Sequence, residues 1–159
     1  MEPNTTERAL TPLQSHYIEL RRELDKREQE ISALAGDLVD PKRLKALVLS
    51  MAKNNHKINE CSTESIVALC LDCARVGLEP TGRIGGMWPV PFRVKGRPTL
   101  QGITDYRGEI TLAVRSGFCI DVAARIVYAG DEFDWNEGDH PSLHHKPTRD
   151  ALKRGDAQL

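Results

Sequence analysis

Two cysteines in a Cys-x-x-Cys spacing, Cys70 and Cys73, are the first residues that could do chemistry. Thiolates at this spacing can form half of a tetrahedral zinc site, which needs about four ligands. Cys61 and Cys119 stand alone, and two adjacent histidines lie far along the chain. Because Cys70 and Cys73 also fall three residues apart on an apolar helical pattern, we favour core packing, with metal binding and redox chemistry as alternatives.

A second group consists of acids and histidines between residues 129 and 145. The acids are Asp131, Glu132, Asp134, Glu137 and Asp139, and the histidines are His140, His144 and His145. The acids lack the spacing of an EF-hand, so we favour a solvated hairpin turn and keep a divalent-cation site or a contact with a basic neighbour open. The histidines have no evident Ser or Cys partner. The sequence also lacks the P-loop, G-x-S-x-G and H-E-x-x-H motifs, so no ATPase, serine hydrolase or zinc protease is predicted.

In the third group, cations alternate with aromatic residues. The cations are Arg93, Lys95, Arg97, Arg107, Arg115 and Arg125, and the aromatic residues are Trp88, Phe92 and Tyr106. Lysines and arginines along a groove neutralise phosphates, and aromatic side chains provide stacking platforms for unpaired bases. This pattern makes nucleic-acid binding a hypothesis, against the simpler interpretation of scattered surface charge.

Length and charge are compatible with such a surface. The 159 residues are 40% hydrophobic, which is enough for one domain with a core, and they carry a net charge of −1. Residues 81–128 hold 7 basic and 3 acidic side chains, whereas residues 129–145 hold 5 acids and no Lys or Arg. A basic face can therefore exist on a nearly neutral protein. No secretion signal or membrane-length apolar run is present, which favours a reducing cytosol.

Helices are predicted to precede the basic segment. Thr11-Pro12 is a cap followed by proline, and an apolar stripe from Leu13 to Leu38 then follows heptad-like spacing, interrupted at Arg27. The stripe could pack on its own domain or on a neighbouring subunit. Two further helices are predicted, from about Lys42 to Asn54 and from Ser62 to Val76, the latter ended by Gly77.

The second half reads as strands around one short helix. "MWPVPFRV" and "TLQGIT" predict a hairpin with its turn at "KGRP", and "DYRGEITLAVRSG" predicts a helix. "FCIDVAARIVYAG" predicts a long strand, and "DEFDWNEG" with "SLHHKPT" predicts another hairpin. Gly108 in the first turn of the helix suggests room for a phosphate at the helix N-terminus, with Arg107 beside it.

Several segments together resemble the RecT family of phage and prophage recombinases. They are "CSTESIVALCLDCARVGLEP", "PFRV", "YRGEITLAVRSG", "ARIVYAGDEFDWNEG" and "HKP", in the family's order and spacing, from about Tyr17 to Arg154. The joint pattern is specific, although no single piece is. Family members continue beyond the point at which this sequence stops, so we expect a C-terminally truncated member.

The resemblance implies a protein, not an enzyme, that binds single-stranded DNA and anneals complementary strands without ATP. It implies an α+β core in which N-terminal helices precede a small antiparallel sheet with a helix packed across it. No cofactor is implied as required, and Mg²⁺ is a candidate ion for DNA binding. The implied partners are single-stranded DNA, the annealed duplex intermediate, further copies in a ring or helical filament, and a phage exonuclease, with no membrane. The implied location is the cytoplasm of a bacterial host.

We expect the strand backbone to lie in a basic groove made by the hairpin and the short helix, with bases facing out. The expected DNA-binding residues are Arg93, Lys95, Arg97, Tyr106, Arg107, Gly108, Arg125 and Lys146; no catalytic or metal residues are expected. The predicted divisions are a disordered stretch at 1–10, a helical part at 11–77, a DNA-binding core at 78–150 and a truncated end at 151–159. An assembly module without DNA binding and a metal-dependent nuclease that uses the 129–145 acids are the alternatives.

Overall fold

The computed structural model describes residues 11–82 and 86–149 and confirms the α+β class, with helices before hairpins. The helices are α1 (Pro12–Lys26), α2 (Glu28–Ala35), α3 (Pro41–Asn54), α4 (His56–Asn59), α5 (Thr63–Val76) and α6 (Tyr106–Arg115). The strands are β1 (Met87–Val94), β2 (Arg97–Thr104), β3 (Glu132–Asn136) and β4 (Ser142–Lys146). The predictions for residues 1–10 and 151–159 lie outside the described residues.

The N-terminal helices begin where the sequence supplies a side-chain cap. Thr11 and Gln14 form a reciprocal capping box at the start of α1, and Pro12 follows the cap. The Asp40 carboxylate accepts the backbone N–H of Lys42 at 2.9 Å and starts α3. The predicted starts of these helices are therefore confirmed. They could be predicted because a helix cap depends on residues that are adjacent in the sequence.

The apolar stripe of the first helix is divided between two helices at Arg27, which ends α1 and precedes α2. Leu20, Leu24 and Ile31 in its middle are 0% exposed and belong to the core of the helical part. Leu13 near its start is 38% exposed. The central part of the stripe thus packs within its own unit, as the simpler of the two interpretations proposed.

Helix α5 lies at the centre of that core. Cys70 and Cys73 are 0% exposed, and burial raises the pKa of both thiols to about 12. Cys73 Sγ lies 3.7 Å from Met87 Sδ of β1. These cysteines are core residues, which agrees with the favoured interpretation of the Cys-x-x-Cys spacing.

Strands β1 and β2 form the first hairpin, which is anchored to α5. Their antiparallel register runs from Met87 opposite Thr104 to Val94 opposite Arg97. The amide of Leu100 donates to Ser65 Oγ at 3.0 Å, and Leu100 is only 4% exposed. The hairpin therefore shares its apolar core with the helices that precede it.

The apolar face of α6 is less buried than the sequence indicated. Gly108 is its one buried residue; Ile110 and Leu112 are half-buried, and Val114 is 41% exposed. Leu112 packs at the margin of the core. The apolar residues of α6 therefore contribute to the core only at its margin.

The long strand predicted from "FCIDVAARIVYAG" is wrong. Residues 118–127 form no strand, and Tyr128 makes only an isolated bridge. Phe118 and Ile120 are 98% and 96% exposed. β-branched residues favour a strand only where a neighbouring strand provides the hydrogen-bond ladder, and no strand of the described residues forms such a ladder with residues 118–127.

Strands β3 and β4 form the predicted second hairpin, with Glu132 opposite Lys146 and Asn136 opposite Ser142. The chain divides between Ile120 and Asp121 into two compact units, with the first hairpin in one and the second hairpin in the other. Among the helices of the described residues, none combines the length and apolar character required to cross a membrane.

Candidate nucleic-acid interface

The turn of the first hairpin brings three predicted cations to one tip. Lys95 and Gly96 form the two-residue turn and both have positive φ, 49° and 81°, as in the tight turns that match the twist of paired strands. Arg97 shares its face of the hairpin with Val94, which lies opposite it. Arg93 points to the other face, and its Nη1 donates to the Gly96 carbonyl at 3.4 Å. All three cations are exposed.

One face of this hairpin packs on the core and the other, which we term the outer face, is open. The outer face consists of Trp88, Val90, Phe92 and Val94 of β1 and Arg97, Thr99, Gln101 and Ile103 of β2. Trp88 is 45% exposed and Phe92 is 41% exposed, whereas Met87 on the core face is 6% exposed. Two aromatic side chains therefore share a surface with a cation.

Asp105 connects the hairpin to α6. Its Oδ1 accepts the backbone N–H groups of Arg107 and Gly108 at 3.0 and 2.9 Å, and its Oδ2 accepts the indole N–H of Trp88 at 3.1 Å. The N–H of Gly108 above all, with those of Trp88 and Arg107, lowers the pKa of Asp105. One carboxylate therefore caps α6 and fixes the orientation of Trp88.

Tyr106 and Arg107 form a pair on the exposed first turn of α6. Arg107 Nε donates to the Tyr106 hydroxyl at 2.9 Å, and its guanidinium carbon lies 5.4 Å from the centre of the Tyr106 ring. Tyr106 is 66% exposed. The pair presents a permanent cation and an aromatic ring in the same unit as the hairpin tip.

The structure gives Gly108 a packing role instead of the room for a phosphate inferred from the sequence. A Cβ at this position would lie 2.6 Å from Thr104 Cγ2 and 2.9 Å from the Gly86 carbonyl oxygen. Its N–H already donates to Asp105. The missing side chain lets α6 approach β2 and the preceding loop, and the N–H groups of Arg107 and Gly108 are occupied by the Asp105 cap.

Two predicted residues, Arg125 and Lys146, lie in the second compact unit, so the structure does not assemble all of the predicted set in one unit. Arg125 was expected on a strand but lies in the exposed segment without regular structure, where its Nη1 donates to the Ala124 carbonyl at 3.1 Å. Lys146 lies on β4 with its Nζ 3.4 Å from a Glu132 carboxylate oxygen.

A buried carboxylate organises this second unit. The Asp131 side chain is 0% exposed; it accepts the amides of Tyr128 and Thr148 at 3.1 and 2.9 Å. Its Oδ2 also lies 3.0 Å from Nε2 of His145, whose ring meets Phe133 edge-on at 5.8 Å. Asp131 thus joins the loop before β3 to the residues after β4, which makes it a positioning group.

The remaining acids of the second hairpin are exposed. Within residues 11–82 and 86–149, no three His, Cys, Asp or Glu side chains lie in an arrangement that could hold a metal ion. The exposure of these acids is that of a solvated hairpin turn.

Sequence reasoning missed the roles of three residues that connect separate elements: Asp105, Arg115 and Asp131. An acid directly before a helix start is a recognisable cap, so Asp105 could have been found. Arg115 donates to the Val76 and Gly77 carbonyls at 2.8 and 3.3 Å and so caps the end of α5. This contact, like that between Asp131 and His145, joins distant parts of the sequence and has no local signal.

Comparison with known proteins gives two matches. The model of the RecT family matches residues 42–157 of the chain. Protein RecT of Escherichia coli (strain K12) is 38% identical over 94 residues, which are 57% of this chain and 35% of that relative. The chain thus spans about a third of the length of this curated relative. No solved structure matches the chain.

Proposed function

The chain belongs to the RecT family, and on that premise we propose that it binds single-stranded DNA and anneals complementary strands without ATP in phage-type homologous recombination. The observation that carries the proposal is the placement of Arg93, Lys95 and Arg97 at one hairpin tip, in the same compact unit as the Tyr106–Arg107 pair. These side chains are exposed and of the types that bind phosphates and bases.

In this proposal the cations hold the sugar-phosphate backbone and leave the hydrogen-bonding edges of the bases free. A second strand can then test for pairing, so that specificity comes from base pairing and not from protein contacts. Such a reaction requires no proton transfer and no nucleotide hydrolysis by the protein. Gly108 contributes by letting α6 approach the hairpin, which positions Arg107.

The proposal extends to other groups. Arg125 and Lys146 of the second unit are proposed to make additional phosphate contacts, with Mg²⁺ as an accompanying ion but no required cofactor. Several copies in a ring or helical filament would each add a few nucleotides of contact, and a phage exonuclease would supply the single strands. The site of action would be the cytoplasm of a bacterial host.

The test is annealing of two complementary labelled oligonucleotides without ATP, with the parent chain, Arg107→Ala and Arg75→Ala. Arg75 is a matched surface arginine, 61% exposed and paired only with Asp72 of its own helix among the described contacts. We expect Arg107→Ala to slow annealing and to lower the salt slope of binding by about one, while Arg75→Ala behaves like the parent. Equal annealing by all three proteins removes Arg107 from the site.

The same material separates the other function classes. A chain that only assembles gives no salt-dependent binding to the oligonucleotides, whereas an annealing protein gives a steep dependence. A nuclease shortens end-labelled DNA when Mg²⁺ is added. Either result would overturn the proposal.

A further inference from the structure

We propose that the outer face of the first hairpin is a base-stacking platform on which Trp88 and Phe92 each hold an unpaired base of single-stranded DNA. This inference rests on the proposed function and adds two contact residues that act on bases, where the cations act on phosphates. It starts from two large aromatic side chains on the outer face that remain substantially exposed.

The platform is built by strand alternation. Trp88 and Phe92 are four residues apart on β1 and therefore point to the same side. They are 45% and 41% exposed, although both are large apolar residues that a core would otherwise cover. Four residues of a strand span about 13 Å, well above the roughly 3.4 Å between successive stacked bases. The platform therefore fits an extended strand with intervening nucleotides between the two held bases.

Trp88 is held in position before any ligand arrives. Its indole N–H donates to Asp105 Oδ2 at 3.1 Å. Gly82 lies against its six-membered ring, since a Cβ at Gly82 would come within 2.8 Å of Cε3. A ring fixed by a hydrogen bond and a backbone contact loses little freedom when a base stacks on it.

Charge around the two aromatic residues favours single-stranded nucleic acid as the occupant. Arg97 lies on the same face, diagonal to Phe92 at a separation of about 7 Å that long side chains can bridge. At the other end, the ionised Asp105 beside Trp88 repels a phosphate but not the neutral face of a base. Phosphates are thus directed toward the tip, and bases toward the rings.

Stacking is compatible with annealing because it uses the face of a base. Every base has such a face, so the platform is tolerant of sequence. The Watson–Crick edges remain available to a second strand. A platform of this kind would hold bases apart from one another and present them for pairing.

The first experiment compares oligothymidylate with an abasic oligomer of equal length, by fluorescence anisotropy of a terminal dye. We expect the parent chain to bind oligothymidylate about tenfold more tightly than the abasic oligomer. We expect the doubly substituted Trp88→Ala/Phe92→Ala chain to bind both equally, with the parent's affinity for the abasic oligomer. A double variant that keeps the preference for bases overturns the inference.

The second experiment uses the fact that Trp88 and Trp135 are the two tryptophans of the sequence. In Trp135→Phe the emission reports Trp88 alone, and we expect oligothymidylate to quench it. The matched Trp88→Phe chain reports Trp135 on the acidic second hairpin, where we expect a small change. This readout needs no alanine substitution, so it remains valid if the double variant folds poorly.

The outcomes distinguish the inference from the proposed function. If no oligomer raises the dye anisotropy, DNA binding itself has failed, and the inference fails with it. If both oligomers bind equally to the parent and Trp88 emission is unchanged, DNA binding stands and the stacking platform is wrong. If the double variant instead alters sedimentation of the DNA-free protein and not the preference for bases, the outer face contacts another copy of the chain, which also overturns the inference.

Discussion

The two hairpins share a plan but differ in charge and in the way they are anchored. Each is a pair of antiparallel strands that exposes a tryptophan, Trp88 in the first and Trp135 in the second. The first has cations at its tip and is held to the helices by buried apolar residues. The second has acids at its turn, and the buried carboxylate of Asp131 links the residues before β3 to those after β4. A hairpin can therefore be anchored by buried apolar side chains or by hydrogen bonds to a buried carboxylate. The two turns then differ in the sign of their charge.

The largest expected effect concerns apolar anchoring. Leu100→Ala removes a side chain that is 4% exposed between the first hairpin and α5, and we expect it to lower the free energy of unfolding by about 2–5 kcal/mol. The matched change Leu143→Ala, at a strand residue of the second hairpin that is 72% exposed, should change it by less than about 0.5 kcal/mol. Chemical denaturation measures both. Equal losses would show that the two hairpins are anchored alike.

The next effect concerns polar anchoring. Asp131→Ala leaves the amides of Tyr128 and Thr148 without their acceptor, at a cost of about 1–3 kcal/mol. We expect faster hydrogen exchange at these two amides, measured by NMR. The control is Asp134→Ala, at an exposed acid of the same hairpin. Unchanged exchange in Asp131→Ala would contradict the anchoring role of this carboxylate.

A charge experiment tests the contrast between the two surfaces. Replacement of Arg93, Lys95 and Arg97 by alanine removes three proposed phosphate contacts. We expect affinity for single-stranded DNA to fall about tenfold or more and the salt slope to fall by about two. The control neutralises three acids of the second hairpin: Glu132→Gln, Asp134→Asn and Glu137→Gln. It should leave binding unchanged or slightly stronger. A larger effect from the acids would reverse the assignment of the surfaces.

The smallest effect is a dependence on pH around Trp88. Hydrogen bonds lower the pKa of Asp105 in the folded chain, so its stabilising contribution is present above the pKa of the unfolded chain. That contribution is lost as the pH falls through the folded pKa. In Trp135→Phe, the emission of Trp88 should therefore change only below the ordinary titration range of aspartate. Addition of Asp105→Asn should remove this transition, and a transition that persists would assign it to another group.

Much of the fold was predictable, because helix starts and tight turns follow local rules. Thr11-Pro12 and Asp40-Pro41 place caps where α1 and α3 begin, and Lys95-Gly96 places the turn of the first hairpin. The strand prediction around Ile120 and Val122 was wrong because a strand depends on a distant pairing partner and not on local rules. Its β-branched residues express a preference, but the pairing that makes a strand depends on a second segment.

Some features of the candidate site were also predictable from the sequence, whereas others required the structure. The cations at the hairpin tip and the Tyr106–Arg107 pair were identified from residue type and neighbourhood. The structure reassigned Gly108 from phosphate approach to helix packing, because Thr104 and the Gly86 carbonyl occupy the space beside it. The linking role of Asp105 required the distance from its carboxylate to the Trp88 indole.

The sequence by itself determined the α+β class, the starts of α1 and α3, the turn of the first hairpin and the alternation of basic and acidic segments, because these follow from residues that are close along the chain. The family followed from several segments taken together. Tertiary structure decided which face of the first hairpin is covered by α5 and which leaves Trp88 and Phe92 exposed. It also placed the Arg115 guanidinium on the Val76 carbonyl at the end of α5 and the Asp131 carboxylate beside His145 of the second hairpin. These outcomes depend on contacts between distant residues, which packing and the satisfaction of buried hydrogen-bonding groups select.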